Sequence, residues 1–145
     1  MALTTAILAV LAAITSSLSG EQANEAMLSQ IEASNQWNYY QAKSIKAAVL
    51  DAKIAFTGAS DESDQSKRAR YEQEQQEVRS EAEHKQAAAK LYFHKHQVFA
   101  RGVTMFQIAI AIAAISAVTK KRSFGVVNLV FGAFGCAFFL LAAMA

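Results

Sequence analysis

All twelve Asp and Glu residues of this 145-residue chain lie between Glu21 and Glu83, while long apolar blocks occupy its two ends. That segregation limits the possible folds more than any motif does. A soluble domain spreads its acids over the whole surface. Long uncharged blocks at both ends, with a polar middle, are the pattern of a chain that crosses a bilayer and carries an extramembrane part. The opening run, MALTTAILAVLAAITSSLSG, has no charged side chain. It also lacks the Lys or Arg that starts a signal peptide, so residues 1–19 are expected to form a first transmembrane helix. A second block, 98–119, carries only Arg101 near its start, where a long side chain can reach the headgroups. The third, 124–145, is uncharged throughout.

Between the first and second blocks lies a polar insert, residues 20–97. The chain has no proline and only six glycines, so long helices are the default. The stretch TGASDESD, residues 57–64, has the Gly, Ser and Asp of a turn followed by a helix cap. It divides the insert into arms of similar length, 21–56 and 65–97, each roughly 50 Å long as a helix. An antiparallel, coiled-coil-like hairpin is expected, with the chain returning to the membrane it left. In the first arm Ala42, Ile45, Val49, Ala52 and Phe56 recur at steps of three and four, extending back less cleanly through Asn38, Asn35 and Ile31 to Leu28. In the second, Tyr71, Val78, Lys85, Tyr92 and Phe99 are seven apart, with Ala82, Ala89 and Val103 at the complementary positions. The second arm should run without a break into the second span, as should the first span into the first arm.

The expected fold is therefore all-α and integral to the membrane. Its parts are span 1–19, a hairpin over 20–97, span 98–119, a short basic turn at 120–123, and span 124–145. Lys120, Lys121 and Arg122 form the only cationic cluster in a short loop, which places that turn in the cytoplasm and the hairpin outside.

The spans carry stripes of small residues suited to close helix packing. They are Ala6, Ala9 and Ala13 in the first; Ala109, Ala113 and Ala117 in the second; Gly125, Gly132 and Cys136 in the third. Gln107 and Asn128 are the strongly polar side chains at depth, and each can donate an interhelical hydrogen bond or line a pore. The insert contains SNQWNYYQAKSIK, in which Trp37, Tyr39 and Tyr40 stand roughly 20 Å beyond the first span on a continuous helix. That is too far for an interfacial aromatic belt, so the three rings are expected to contact neighbouring subunits.

Several chemistries have no footing in the sequence. The net charge is +2 and the basic residues are interleaved with acids, so nucleic acid is not an expected partner. His94 and His96 are two apart and His84 lies far from both, which does not suit a metal site on a helix. No nucleophile elbow, Gly-rich phosphate loop or catalytic carboxylate pair is present, so no catalytic, cofactor-binding or metal-binding residues are assigned and a non-enzymatic role is expected.

The segments ALTTAILAVLAAI, NEAMLSQIEASNQWNYYQAKSIK and RGVTMFQIAIAIAAISAVTKKR together resemble the bacterial family known only as a domain of unknown function, family 4337. The resemblance covers nearly the whole chain and implies three membrane spans, a helical insert and a bacterial envelope location. It implies no activity. The combined expectation is a self-associating structural or accessory scaffold subunit of the bacterial inner membrane. Its partners would be the lipid bilayer, further copies of itself and other membrane proteins. The competing expectation is an oligomeric channel or transport component with Gln107 and Asn128 lining its pore.

Overall fold

A computed structural model describes residues 2–58 and 62–144. Three α-helices account for nearly all of them: α1 (Ala2–Thr57), α2 (Glu62–Thr119) and α3 (Arg122–Met144), with no strand among the described residues. The first two run unbroken because nothing interrupts them. Neither contains proline, and Gly20 and Gly102 are their only glycines. All three helices are long and apolar enough to cross a membrane.

Both helix ends with a described cap use the left-handed backbone. Gly58, at φ 61°, follows α1 and donates its N–H to the carbonyl of Ile54 at 3.1 Å. Lys120, at φ 50°, does the same after α2, bonding Ser116 at 3.0 Å. Each satisfies a carbonyl that the helix end leaves open, but Lys120 does so with a Cβ that resists this conformation. Of the predicted turn at 57–64, residues 59–61 lie outside the described residues.

The chain divides into two compact units. Unit 2, Met27–Lys90, is built from parts of α1 and α2 held together by small side chains and ion pairs. Ala33, Val78, Ala82 and Ala89 are buried, and Ala82 is completely so. Ion pairs join the two helices: Glu32 with Lys85 at 2.6 Å, Lys43 with Glu74, Asp51 with Arg68 at 2.6 Å, and Lys53 with Asp64 at 2.6 Å. The partners' numbers rise along α1 as they fall along α2, which is antiparallel pairing.

The second-arm seam faces inward as expected, with Tyr71 and Lys85 half-buried and Val78, Ala82 and Ala89 buried. The first-arm seam does not. Leu28, Ile31, Ala42, Ile45, Val49, Ala52 and Phe56 are all exposed, Ile45 by 64% and Phe56 by 93%. The inward face of α1 is a different heptad line: Ala26, Ala33, Tyr40, Ala47 and Ile54, with Ser29, Lys43 and Leu50 between. α1 thus carries two stripes at coiled-coil spacing, and the one with small residues packs on α2. Alanines let two backbones approach closely, and Lys43 joins them inside because Glu74 neutralises it.

Unit 1, Met1–Ala26 with Leu91–Ala145, brings together the apolar parts of all three helices. Its centre is Leu8, Phe106 and Ala109, with Leu11, Ala12, Ile110 and Phe131 against them. Phe99 meets Phe139 edge-on at 6.0 Å. This unit buries polar groups and exposes apolar ones. Thr15, Ser19, Ser116 and Asn128 are inside, while Leu3, Val10, Val118, Val126, Leu140 and Leu141 face outward. In water that arrangement is costly; in lipid the outward Leu and Val side chains cost nothing and polar groups belong against protein.

Candidate functional site

The packing of unit 1 is set by glycines of α3. Along α3 the buried positions are Gly125, Asn128, Gly132, Gly135 and Ala142, the first four at steps of three and four. A Cβ at Gly132 would stand 3.0 Å from Leu8, and one at Gly135 only 2.7 Å from the Phe106 ring. The second face is therefore tighter than the first, and Gly135 takes the inward place that spacing alone gave to Cys136, which is exposed.

The other small-residue stripes divide in the same way. Ala109 and Ala113 of α2 are buried, but Ala117 is exposed and Ser116 takes its place. A strict step of four drifts off a line that repeats every 3.5 residues. On α1 the expected Ala6, Ala9 and Ala13 are all exposed, and Leu8, Thr15 and Ser19 are buried instead.

Asn128 is 1% exposed, and its Oδ1 has no hydrogen-bond partner. An unpartnered buried carbonyl costs about 1–3 kcal/mol. The residue lines a cavity of about 230 Å³ between the first turns of α1 and the middle of α3, whose walls include Leu8, Leu11, Leu129 and Gly132. Gln107, the other amide expected at membrane depth, is exposed on α2. Lys120, Lys121 and Arg122 are exposed at the junction of α2 and α3.

Deeper along the same unit, Ser19 of α1 meets His96 of α2. His96 Nδ1 lies 2.9 Å from the Ser19 carbonyl oxygen and 3.0 Å from its hydroxyl. Since a carbonyl only accepts, Nδ1 carries the proton of that bond. His84 and His94 are exposed, and among the described residues no three His, Cys, Asp or Glu side chains form a metal-binding group.

In unit 2 the aromatic run separates into two environments. Trp37 and Tyr40 are half-buried and meet edge-to-face, with centroids 5.7 Å apart at 82°. Tyr39 is 50% exposed, with the Lys43 ammonium 5.1 Å from its ring centre. Lys43 itself is only 8% exposed, reaches to 5.8 Å from the Tyr71 ring and bonds Glu74, which Arg70 also holds at 2.8 Å. The hydrogen bond from Lys43, then that from Arg70, keeps the Glu74 carboxyl below its ordinary range. Glu74, followed by Tyr39, raises the Lys43 ammonium above its own.

The family model described as a domain of unknown function (DUF4337) matches residues 1–145. The chain belongs to this family. Within the DUF4337 match fall both units, the cavity at Asn128 and the Lys43 cluster. Neither curated proteins nor solved structures hold a match.

Two features of these sites escaped the sequence reading. Gly135 was legible as the continuation of Gly125, Asn128 and Gly132 at heptad steps. Lys43 was not, because a lysine on a helix reads as solvated unless its acid partner on another helix is already known.

Proposed function

We propose that this DUF4337 chain is a non-enzymatic protein of the bacterial inner membrane that self-associates and serves there as a structural or accessory subunit. The single observation that carries the reading is the exposed stripe of α1. Leu28, Ile31, Asn35, Asn38, Ala42, Ile45, Val49, Ala52 and Phe56 keep coiled-coil spacing and all face outward. A line of apolar residues every 3.5 positions fits another helix better than any globular partner, and a second copy offers the identical line. Asparagines within such a line fix register and helix number at some cost in stability, which fits Asn35 and Asn38. Tyr39, exposed beside this line, is the ring of the aromatic run placed to join the contact, with Trp37 and Tyr40 supporting it from the inner side.

In this reading α1 and α2 form an antiparallel hairpin that stands outside the bilayer, in the periplasm. Three spans lie in the membrane, and the Lys120, Lys121, Arg122 turn lies in the cytoplasm. The outward Leu and Val side chains of unit 1 support insertion, and the positive-inside rule supports the orientation. The buried position of Asn128 favours packing over a pore lined by that residue.

Multi-angle light scattering of the full chain in mild detergent tests the association. A dimer or larger assembly is the expected mass. A monomer at every protein concentration refutes self-association.

A further inference from the structure

The outer stripe of α1 offers a contact, and the order of its residues also decides which way round a second copy can lie. Leu28, Asn35, Ala42, Val49 and Phe56 recur every seven residues, and Ile31, Asn38, Ile45 and Ala52 do so three residues later. They are the a and d positions of one heptad line. Asn38 and Ile45 stand two residues, about 200° of helix turn, from Tyr40 and Ala47 on the inner side. The line therefore points away from α2, and a partner helix can lie along it without displacing α2.

Two orientations of that helix can be compared. An antiparallel copy that uses the whole line sets the asparagines against apolar residues. With Asn35 opposite Ala52, Asn38 falls opposite Val49; one heptad away, Asn35 falls opposite Ile45 and Asn38 opposite Ala42. A carboxamide buried against such neighbours gives up its hydrogen bonds to water and gains none. The antiparallel register that brings Asn35 to Asn38 leaves Val49, Ala52 and Phe56 beyond the end of the opposite line. A parallel copy in register avoids both losses. Each residue then meets its own counterpart, so asparagine bonds asparagine and the aliphatic and Phe positions pair with their like. The flanks agree with this. Parallel pairing sets the uncharged g side (Met27, Ser34, Gln41, Ala48, Ala55) beside the e side of the other chain (Glu32, Tyr39, Lys46, Lys53), so no like charges meet.

We propose that the partner of this stripe is a second copy lying parallel and in register, with Asn35 and Asn38 each hydrogen-bonded to the same residue of the other chain. The inference rests on the reading that the stripe carries self-association. A parallel pair enters one bilayer from one side, so the contact joins neighbours within a membrane. An antiparallel pair would instead tie together two facing membranes.

The test uses the full chain in detergent, where no bilayer aligns the copies, with Cys136→Ser and one new cysteine per variant. Ile31→Cys, Ile45→Cys, Ala52→Cys, Phe56→Cys and the α2 control Gln76→Cys all alter exposed positions, which spares the fold of the single chain. Under copper-phenanthroline oxidation a dimer band should form in Ile31→Cys, Ile45→Cys and Ala52→Cys and be lost in Gln76→Cys, since a disulfide needs Cβ atoms about 4 Å apart. Ile31→Cys mixed with a tag-lengthened Phe56→Cys chain should give like dimers and no mixed band. Adding Asn35→Leu and Asn38→Leu to both chains should let the mixed band appear. Like-only pairing that survives both leucines overturns the role of the asparagines. Loss of the Ile31 and Ala52 bands while Ile45 keeps its own overturns the parallel arrangement, as does a mixed band in chains that keep their asparagines. A multimeric mass by light scattering with no band in any stripe variant overturns this inference and leaves self-association standing, whereas a monomer at every concentration removes both.

Discussion

Gly135 of α3 faces the ring of Phe106 of α2 so closely that an added Cβ would lie 2.7 Å from two ring carbons. Phe106 is buried, at 1% exposed. Gly135→Ala should therefore destabilise unit 1 by about 1–3 kcal/mol through overpacking. Gly20 offers the opposite case within α1, since nothing lies within 4 Å of a Cβ there. Gly20→Ala should stabilise by about 1 kcal/mol through helix propensity. Thermal unfolding in detergent, followed by circular dichroism, should move in opposite directions for the two alanines. A shift of the same sign for both contradicts the packing described.

Lys120 ends α2 in the left-handed conformation, which costs a residue with a Cβ about 1–2 kcal/mol. It is exposed and its backbone N–H already caps Ser116. Lys120→Gly should keep the cap, lose the strain and raise the unfolding temperature. Lys121→Gly, one residue on, has no such strain to relieve and should not.

How much of this was legible in the sequence depended on what the pattern had to decide. Three helices follow from the missing proline and the uncharged blocks, because lipid and water impose those requirements residue by residue. Which face of α1 turns inward was a choice between two stripes of equal period. Reading the larger aliphatic residues as the core is sound for a thick soluble core. It fails where two helices meet through alanines, as at Ala33 and Ala82, and where the larger side chains are left outside. Lys43 could not be placed from α1 alone, because its burial depends on Glu74 and Tyr71 of another helix.

The Lys43 and Glu74 pair predicts a plateau of stability with two edges. The carboxyl of Glu74 is held below its usual value near 4.3, so its contribution is present above that pH and disappears as pH falls through the depressed value. The ammonium of Lys43 is held above its usual value near 10.4, so its contribution is complete below that pH and disappears as pH rises through the raised value. Hydrogen exchange of unit 2 amides should stay constant between about pH 5 and pH 10 once corrected for intrinsic rates, and opening should increase outside those limits. Glu74→Gln should remove the acidic edge. An acidic edge that is unchanged in Glu74→Gln assigns it to another carboxylate.

Ile45 and Ala47 are two residues apart on α1 and face opposite demands. Ile45 is exposed on the outer stripe, whereas Ala47 is half-buried against α2. Ile45→Glu places a charge where the chain alone meets only solvent, so the helix content and thermal unfolding of a monomer should change by no more than about 0.5 kcal/mol. If a second copy covers that stripe, the same charge becomes buried and unpaired, and the assembly mass should fall to that of one chain. Ala47→Glu inserts a larger, charged group beside α2 and should loosen unit 2 whether or not copies associate. Light scattering and hydrogen exchange on the two variants separate the roles. Loss of assembly in Ile45→Glu with unit 2 protected is the expected pair of results. An Ile45→Glu chain that keeps the full assembly mass rules out the outer stripe as the contact.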